Sequence, residues 1–206
     1  MTKIIEGIKF SGKPFEIPDC SRDDLPEFFK EMGYKVGAEI GVLRGEFTEK
    51  FGQAGLKMYA VDPWKNYLDY HRHPAEEPYE IMYEMTKKRL EPYDCTIIRK
   101  TSMEAVEGFK ANSLDFVYID GNHKLRHVID DIYEWSLRVR SGGVICGHDY
   151  TFSTRSPHSY YACHVPYAVK LYTQIWKIPS WYILGEYRAA EGEKRDKHRS
   201  WMWIKP

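Results

Sequence analysis

The stretch Val36-Gly37-Ala38-Glu39-Ile40-Gly41-Val42-Leu43-Arg44-Gly45, followed by the apolar run Met58-Tyr59-Ala60-Val61 that ends on Asp62, constrains this chain more than any other feature. A short buried strand that breaks into glycines, turns into a helix and is answered by a carboxylate after the next strand is how α/β folds hold a nucleoside-bearing cofactor. Asp62 lies 21 residues beyond Gly41, close to the spacing of roughly 20 at which an acid meets ribose hydroxyls. The order Glu39-x-Gly41-x-x-x-Gly45 lacks the full G-x-G-x-x-G set that packs a pyrophosphate against a helix N-terminus. An acid at the strand end repels a diphosphate but accepts hydrogen bonds from an ammonium group. The loop therefore suits an adenosine cofactor with a cationic amino-acid tail, and S-adenosylmethionine has such a tail. The plainer alternative is a strand-to-helix turn that uses glycine only for backbone freedom.

Composition places that loop in a globular protein. Of 206 residues, 43% are hydrophobic and 29% charged, and a chain of this length buries a substantial core as one domain. Its formal net charge of zero is not that of a domain built to neutralise a nucleic-acid backbone, so nucleic acid is not an expected partner. No apolar run approaches the roughly 18 residues of a transmembrane helix, and Met1-Thr2-Lys3-Ile4-Ile5-Glu6 shows no signal-peptide hydrophobic region, so no membrane role is expected. Cys20, Cys95, Cys146 and Cys163 lie far apart without a C-x-x-C pair. That spacing suits free thiols in a reducing cytoplasm better than disulfides or zinc.

Beyond the loop, segments alternate as a parallel α/β sheet requires. Short apolar runs predict strands at 36 to 40, 57 to 62, 95 to 99, 114 to 119 and 143 to 147, separated by helical patterns at about 45 to 54, 77 to 90, 103 to 110 and 124 to 139. In the last helix Val128, Ile132, Trp135 and Val139 share one face. A helix at about 165 to 177 and strands near 181 to 184 and 200 to 204 follow, the two strands joined by a charged segment, Glu186 to Arg199, read as a solvated hairpin loop. Residues 1 to 32 are read as an N-terminal extension: a hairpin from Ile4 to Pro18, then a helix begun near Ser21 carrying Leu25, Phe28 and Phe29. The extension either covers the pocket as a lid or only packs at an edge. Residues 33 to 206 form the main domain.

In order along the chain, these motifs resemble a class I S-adenosylmethionine-dependent methyltransferase over roughly residues 33 to 206. The acidic glycine loop and Asp62 are joined by Leu114-Asp115-Phe116-Val117-Tyr118-Ile119-Asp120-Gly121-Asn122-His123, by Val128-x-x-Asp131 with Trp135, and by Gly142-Gly143-Val144-Ile145-Cys146-Gly147-His148-Asp149-Tyr150. Together they resemble the small-molecule O-methyltransferase branch, relatives of the catechol, macrolide-sugar and cephamycin-type enzymes. The resemblance implies a Rossmann-like, mostly parallel seven-stranded sheet with a C-terminal antiparallel hairpin. It also implies methyl transfer from S-adenosylmethionine to a hydroxyl of a sugar-like or aromatic small molecule.

Residue roles follow from the same resemblance. Glu39, Gly41 and Gly45 border the methionine part of the cofactor, Asp62 takes the ribose hydroxyls, Ser102 and Met103 border adenine, and Asp120 adjoins the cofactor. Asp120, His148 and Asp149 fall where metal-dependent relatives hold a divalent cation, which acidifies and orients the acceptor oxygen. His148 stands where several relatives present an oxygen, and Mg²⁺ prefers oxygen ligands. Three readings stay open: Mg²⁺, a cation that accepts imidazole such as Mn²⁺ or Fe²⁺, or no metal, with His148 then a supporting or base residue. His123 falls where the catechol-type enzymes place a lysine base, and an imidazole of ordinary pKa near 6.5 takes a proton from a hydroxyl at neutral pH. His123 and Asp120 are the expected catalytic pair; the alternative for His123 is a cap on the helix that starts about Lys124.

Two stretches dense in aromatics and histidines are expected to shape the acceptor pocket. One carries Trp64, Tyr67, Tyr70, His71, His73 and Tyr79, the other Phe152, His158, Tyr160, Tyr161, His164 and Tyr167. The chain is also compatible with a homo-oligomer. Competing functions are an N-methyltransferase without metal and a methyltransferase-fold binding protein without catalysis. A nicotinamide-dependent dehydrogenase is disfavoured by the glycine spacing and the terminal strand pair.

Overall fold

The computed structural model describes residues 1–66, 78–152 and 163–206. Its elements are α1 (Lys3–Gly7), β1 (Phe15–Ile17), α2 (Leu25–Glu31), β2 (Val36–Ile40), α3 (Glu46–Gln53), β3 (Lys57–Val61), α4 (Tyr79–Leu90), β4 (Cys95–Ile98), α5 (Ser102–Val106), β5 (Leu114–Ile119), α6 (Leu125–Arg138), β6 (Val139–Tyr150), α7 (Val165–Ile175), β7 (Tyr182–Leu184) and β8 (Arg199–Ile204). A 3-10 turn, Arg22–Asp24, precedes α2.

One sheet holds the strands in the order β1-β7-β8-β6-β5-β2-β3-β4. Neighbours run parallel except at β8, which is antiparallel to both β6 and β7. From the central β2 the chain winds outward through β3 to β4, whereas from β5 it winds the other way to β6. The order therefore reverses between β2 and β5, and a crevice opens beyond their carboxyl ends.

The expected seven strands carry an eighth. Ile4 to Pro18 is not a hairpin: α1 leads into β1, which pairs in parallel with β7, Phe15 opposite Tyr182. The extension thus packs on the sheet edge, and Ile4, Ile17, Phe28 and Phe29 join the core there. The helix expected at 103 to 110 ends at Val106. Phe109 owes its apolar character to an edge-on contact with Trp135, ring centroids 4.9 Å apart, and not to a helical face.

Both sheet faces are covered, so central strands read as continuous apolar runs. In β5, Val117 and Ile119 pack with Val128, Ile132 and Trp135 of α6, while Phe116 and Tyr118 face Phe29 of α2 and Phe47 and Phe51 of α3. Phe116 stacks on Phe29 at 4.0 Å between centroids. Gly37 in β2 exists to admit that ring, since a Cβ there would lie 2.2 Å from its Cζ. Gly37→Ala is expected to destabilise the fold by about 1–3 kcal/mol through overpacking, read from urea denaturation; wild-type stability would contradict this packing.

Candidate active site

At the end of β2 the backbone is held from both sides. Asp120 N–H donates to Ile40 O at 2.7 Å and Gly41 N–H donates to Val61 O at 2.9 Å. Gly41 has φ of 89°, and a Cβ there would stand 2.2 Å from the Asp120 carbonyl oxygen, so no other residue fits. Gly45, with φ of 74°, turns the chain into α3. Between the two glycines, the N–H groups of Val42 and Leu43 both donate to Asp62 Oδ2 at 3.0 Å, while Asp62 Oδ1 accepts from Trp64 N–H at 2.7 Å. The residue chosen for its spacing to a ribose is therefore also the clasp of the glycine loop. Trp64, read as a pocket aromatic, is buried and donates its indole N–H to Leu43 O at 2.7 Å.

A cavity of about 680 Å³ opens past these strand ends, walled in part by Glu39, Gly41, Asp62, Ser102, Met103 and Asp120. Of the expected cofactor residues, Gly45 alone is not on that wall; it acts through the turn. Glu39 is buried and accepts a hydrogen bond from Thr48 Oγ1. Burial pushes its carboxyl up to about 8 against that bond. Ser102 donates to the Asp131 carboxylate and accepts from Trp135 Nε1 at 2.8 Å. Burial drives Asp131 up to about 7, opposed by the Ser102 bond. Asp131 is also on the cavity wall; the sequence marked it only as part of a motif.

The second cluster adjoins the first through Asp120. His123 Nε2 stands 3.0 Å from Asp149 Oδ2 and 3.8 Å from Asp120 Oδ1, while His148 Nδ1 stands 3.4 Å from Asp149 and 3.7 Å from Asp120. Adjacent strand residues ordinarily face opposite ways. Here the β6–β8 register shifts between Gly147 and Tyr150, and Asp149 has φ of 56°, so His148 and Asp149 both stand beside Asp120. Donor atoms of Asp120, His123 and Asp149 lie within 4.8 Å of one another. Of the expected metal set, Asp120 and Asp149 fall in this group together with His123, while His148 lies within 3.7 Å of both carboxylates but is not part of it. Two carboxylates and two imidazoles fit a cation that accepts nitrogen, such as Mn²⁺ or Fe²⁺, better than Mg²⁺.

Charge within the cluster is unevenly held. Burial raises the Asp149 pKa, but the His123 and His148 hydrogen bonds outweigh it and hold the carboxyl far below the usual range. Asp120 is raised by its burial and by the Asp149 charge. Burial works against a charged His123, yet the Asp120 and Asp149 hydrogen bonds prevail and hold its pKa well above 6.5. The two carboxylates thus favour the charged form of this imidazole. The capping alternative goes to other residues, because Lys124 N–H donates to Asn122 Oδ1 at 3.0 Å and Leu125 N–H donates to His164 Nδ1 at 3.1 Å.

Of the two aromatic stretches, Tyr67, Tyr70, His71, His73, His158, Tyr160 and Tyr161 lie outside the described residues. Tyr79 lines the cavity, and Phe152 meets Tyr167 edge-on at 5.7 Å. Sequence reasoning missed Arg22, which the extension places on the cavity wall; an isolated arginine before a helix carries no motif.

A family model described as a methyltransferase domain matches residues 38–150, more than half of the chain. The chain belongs to this methyltransferase family. No curated protein sequence matches it significantly. Among solved structures, it is similar to an O-methyltransferase from Bacillus cereus in complex with SAH, with 18% identity over 89% of this chain and 80% of that one, TM-score 0.59. It is similar also to the O-methyltransferase TomG from Streptomyces achromogenes, at 11% identity over 90% and 79% of the two chains, TM-score 0.60. The N-methyltransferase NodS from Bradyrhizobium japonicum has 12% identity over 90% and 94%, TM-score 0.57. At such identities the three share the fold with this methyltransferase. Among the described residues, no helix is long and apolar enough to cross a membrane.

The Asp131 carboxyl of this methyltransferase gives the site a pH signature. Its pKa rises from 3.8 to about 7 on folding, so the folded state binds more protons over that interval and loses stability as pH rises through it. Wild type should therefore weaken relative to Asp131→Asn between those two values in denaturant titrations; a difference that does not change with pH would contradict the burial of a carboxyl there.

Proposed function

We propose that this methyltransferase moves a methyl group from S-adenosylmethionine to a hydroxyl of a small, sugar-like or aromatic molecule, with a divalent cation assisting. The observation that carries the reading is the double position of Asp120, on the cavity wall and 3.7–3.8 Å from both cluster histidines. A donor cavity and a cluster able to handle an acceptor oxygen therefore share Asp120 and, beside it, His123.

Methyl transfer is an in-line displacement, so alignment and exclusion of water are most of what the protein supplies. S-adenosylmethionine, when bound, supplies the electrophilic methyl. Glu39 and Asp120 offer carboxyl oxygens to its ammonium, and Asp62 and Ser102 lie toward the nucleoside end. At the acceptor end Asp120, His148 and Asp149 form the donor set, and a cation held there would supply Lewis acidity to the acceptor hydroxyl. His123 Nε2 is the atom offered to the hydroxyl proton, on a side chain 38% exposed beside that donor set. All four cysteines are free, which supports work in a reducing, cytoplasmic compartment.

The test is transfer of labelled methyl to a panel of hydroxylated acceptors, with chelator and with Mn²⁺ or Mg²⁺ restored. Chelation should abolish turnover, and Asp149→Asn should lower it by about a hundredfold or more while S-adenosylhomocysteine still binds. Turnover indifferent to both, or label passing only to amines, would favour a metal-free N-methyltransferase.

A further inference from the structure

The N-terminal extension delivers one cation to the cofactor cavity. Ser21 caps the Arg22–Asp24 turn through reciprocal bonds with Asp24, and Arg22 N–H donates to Asp196 Oδ2 at 2.8 Å. Lys50 of α3 donates to Asp23 Oδ1 at 2.6 Å. These anchors fix the backbone from which the Arg22 side chain extends. Its guanidinium lies 5.1 Å from the Phe47 ring centroid, and Nη1 stands 3.5 Å from Asp120 Oδ2 with the side chain 33% exposed. It lies on the cavity wall, as do Glu39, Gly41 and Asp120, and its contact with Asp120 puts it by the switch point between β2 and β5. Asp62 and Ser102 follow β3 and β4, on the far side of the loop.

We propose that Arg22 binds the carboxylate of the cofactor's amino-acid tail, while Glu39 and Asp120 face the ammonium; this rests on the S-adenosylmethionine reading above. A nucleoside lying toward β3 and β4 brings its tail across the switch point to Arg22. That tail is a zwitterion, and acids alone would repel its carboxylate. The Arg22 contact with Asp120 sits at the long limit of a hydrogen bond, and the guanidinium also bonds the Tyr118 hydroxyl; a fork with five donors keeps capacity beyond these two partners. The guanidinium stands over the Phe47 ring, and its planar fork suits bidentate binding of a carboxylate. The residue lies outside the stretch matched by the family model, so this part of the cofactor site belongs to the extension.

Calorimetric titration with S-adenosylhomocysteine and its decarboxylated analogue tests the assignment. Wild type should bind the decarboxylated ligand about tenfold to a hundredfold more weakly. Arg22→Gln should lose the same factor for S-adenosylhomocysteine and no longer distinguish the two ligands, with Arg22→Lys in between. Equal weakening of both ligands by Arg22→Gln, or none, overturns the proposal and leaves Arg22 as a partner of Asp120. The wild-type comparison stands even if a variant misfolds. If wild type binds both ligands alike, only the Arg22 assignment falls; if it binds neither, the cofactor reading falls with it.

Discussion

Two strand ends meet without room for a side chain, and the rest of the site follows from that contact. A Cβ at Gly41 would stand 2.2 Å from the Asp120 carbonyl, and the bond from Asp120 N–H to Ile40 O closes the pair. β2 and β5 are parallel neighbours whose chains then leave in opposite directions, so the crevice forms where this contact ends. Asp62 converts the turn after it into a fixed shape by accepting three backbone N–H groups. The glycine loop is thereby organised ahead of any ligand, which spares binding the entropy of ordering it.

Electrostatics then sorts the carboxylates into different states. Glu39 and Asp131 are buried beside neutral hydroxyl donors, and both are raised toward neutrality. Asp149, part-buried between two imidazoles, stays ionised. Burying a charge is costly unless it is paired, so each acid is a statement about its partner. The acid shared between the two groups is Asp120, where Arg22, His123 and His148 converge.

Most of the sheet was legible because buried parallel strands write themselves as short apolar runs, and the predicted strands at 36 to 40 and 114 to 119 coincide with β2 and β5. The motif residues were also legible, since chemistry at strand ends needs particular types. Less was legible where long-range packing decides. Three residues of β1 find their partner 167 positions away at Tyr182, and nothing local in Phe15–Ile17 names that partner. The charged segment before β8 reads as solvated, yet Asp196 and Lys194 in it fasten the extension, with Lys194 N–H donating to Asp19 Oδ1 at 3.0 Å. That His148 and Asp149 both stand beside Asp120 depends on a register shift that alternation cannot foretell.

The account stands on the loop from Glu39 to Gly45 being built for a sulfur-linked nucleoside with an amino-acid tail and not for a dinucleotide. Parallel calorimetric titrations of wild type with S-adenosylhomocysteine and with NADH test this most directly. Saturable binding of the thioether without detectable binding of NADH is the predicted result. Binding of NADH in preference, or of neither, would contradict it and leave only the fold.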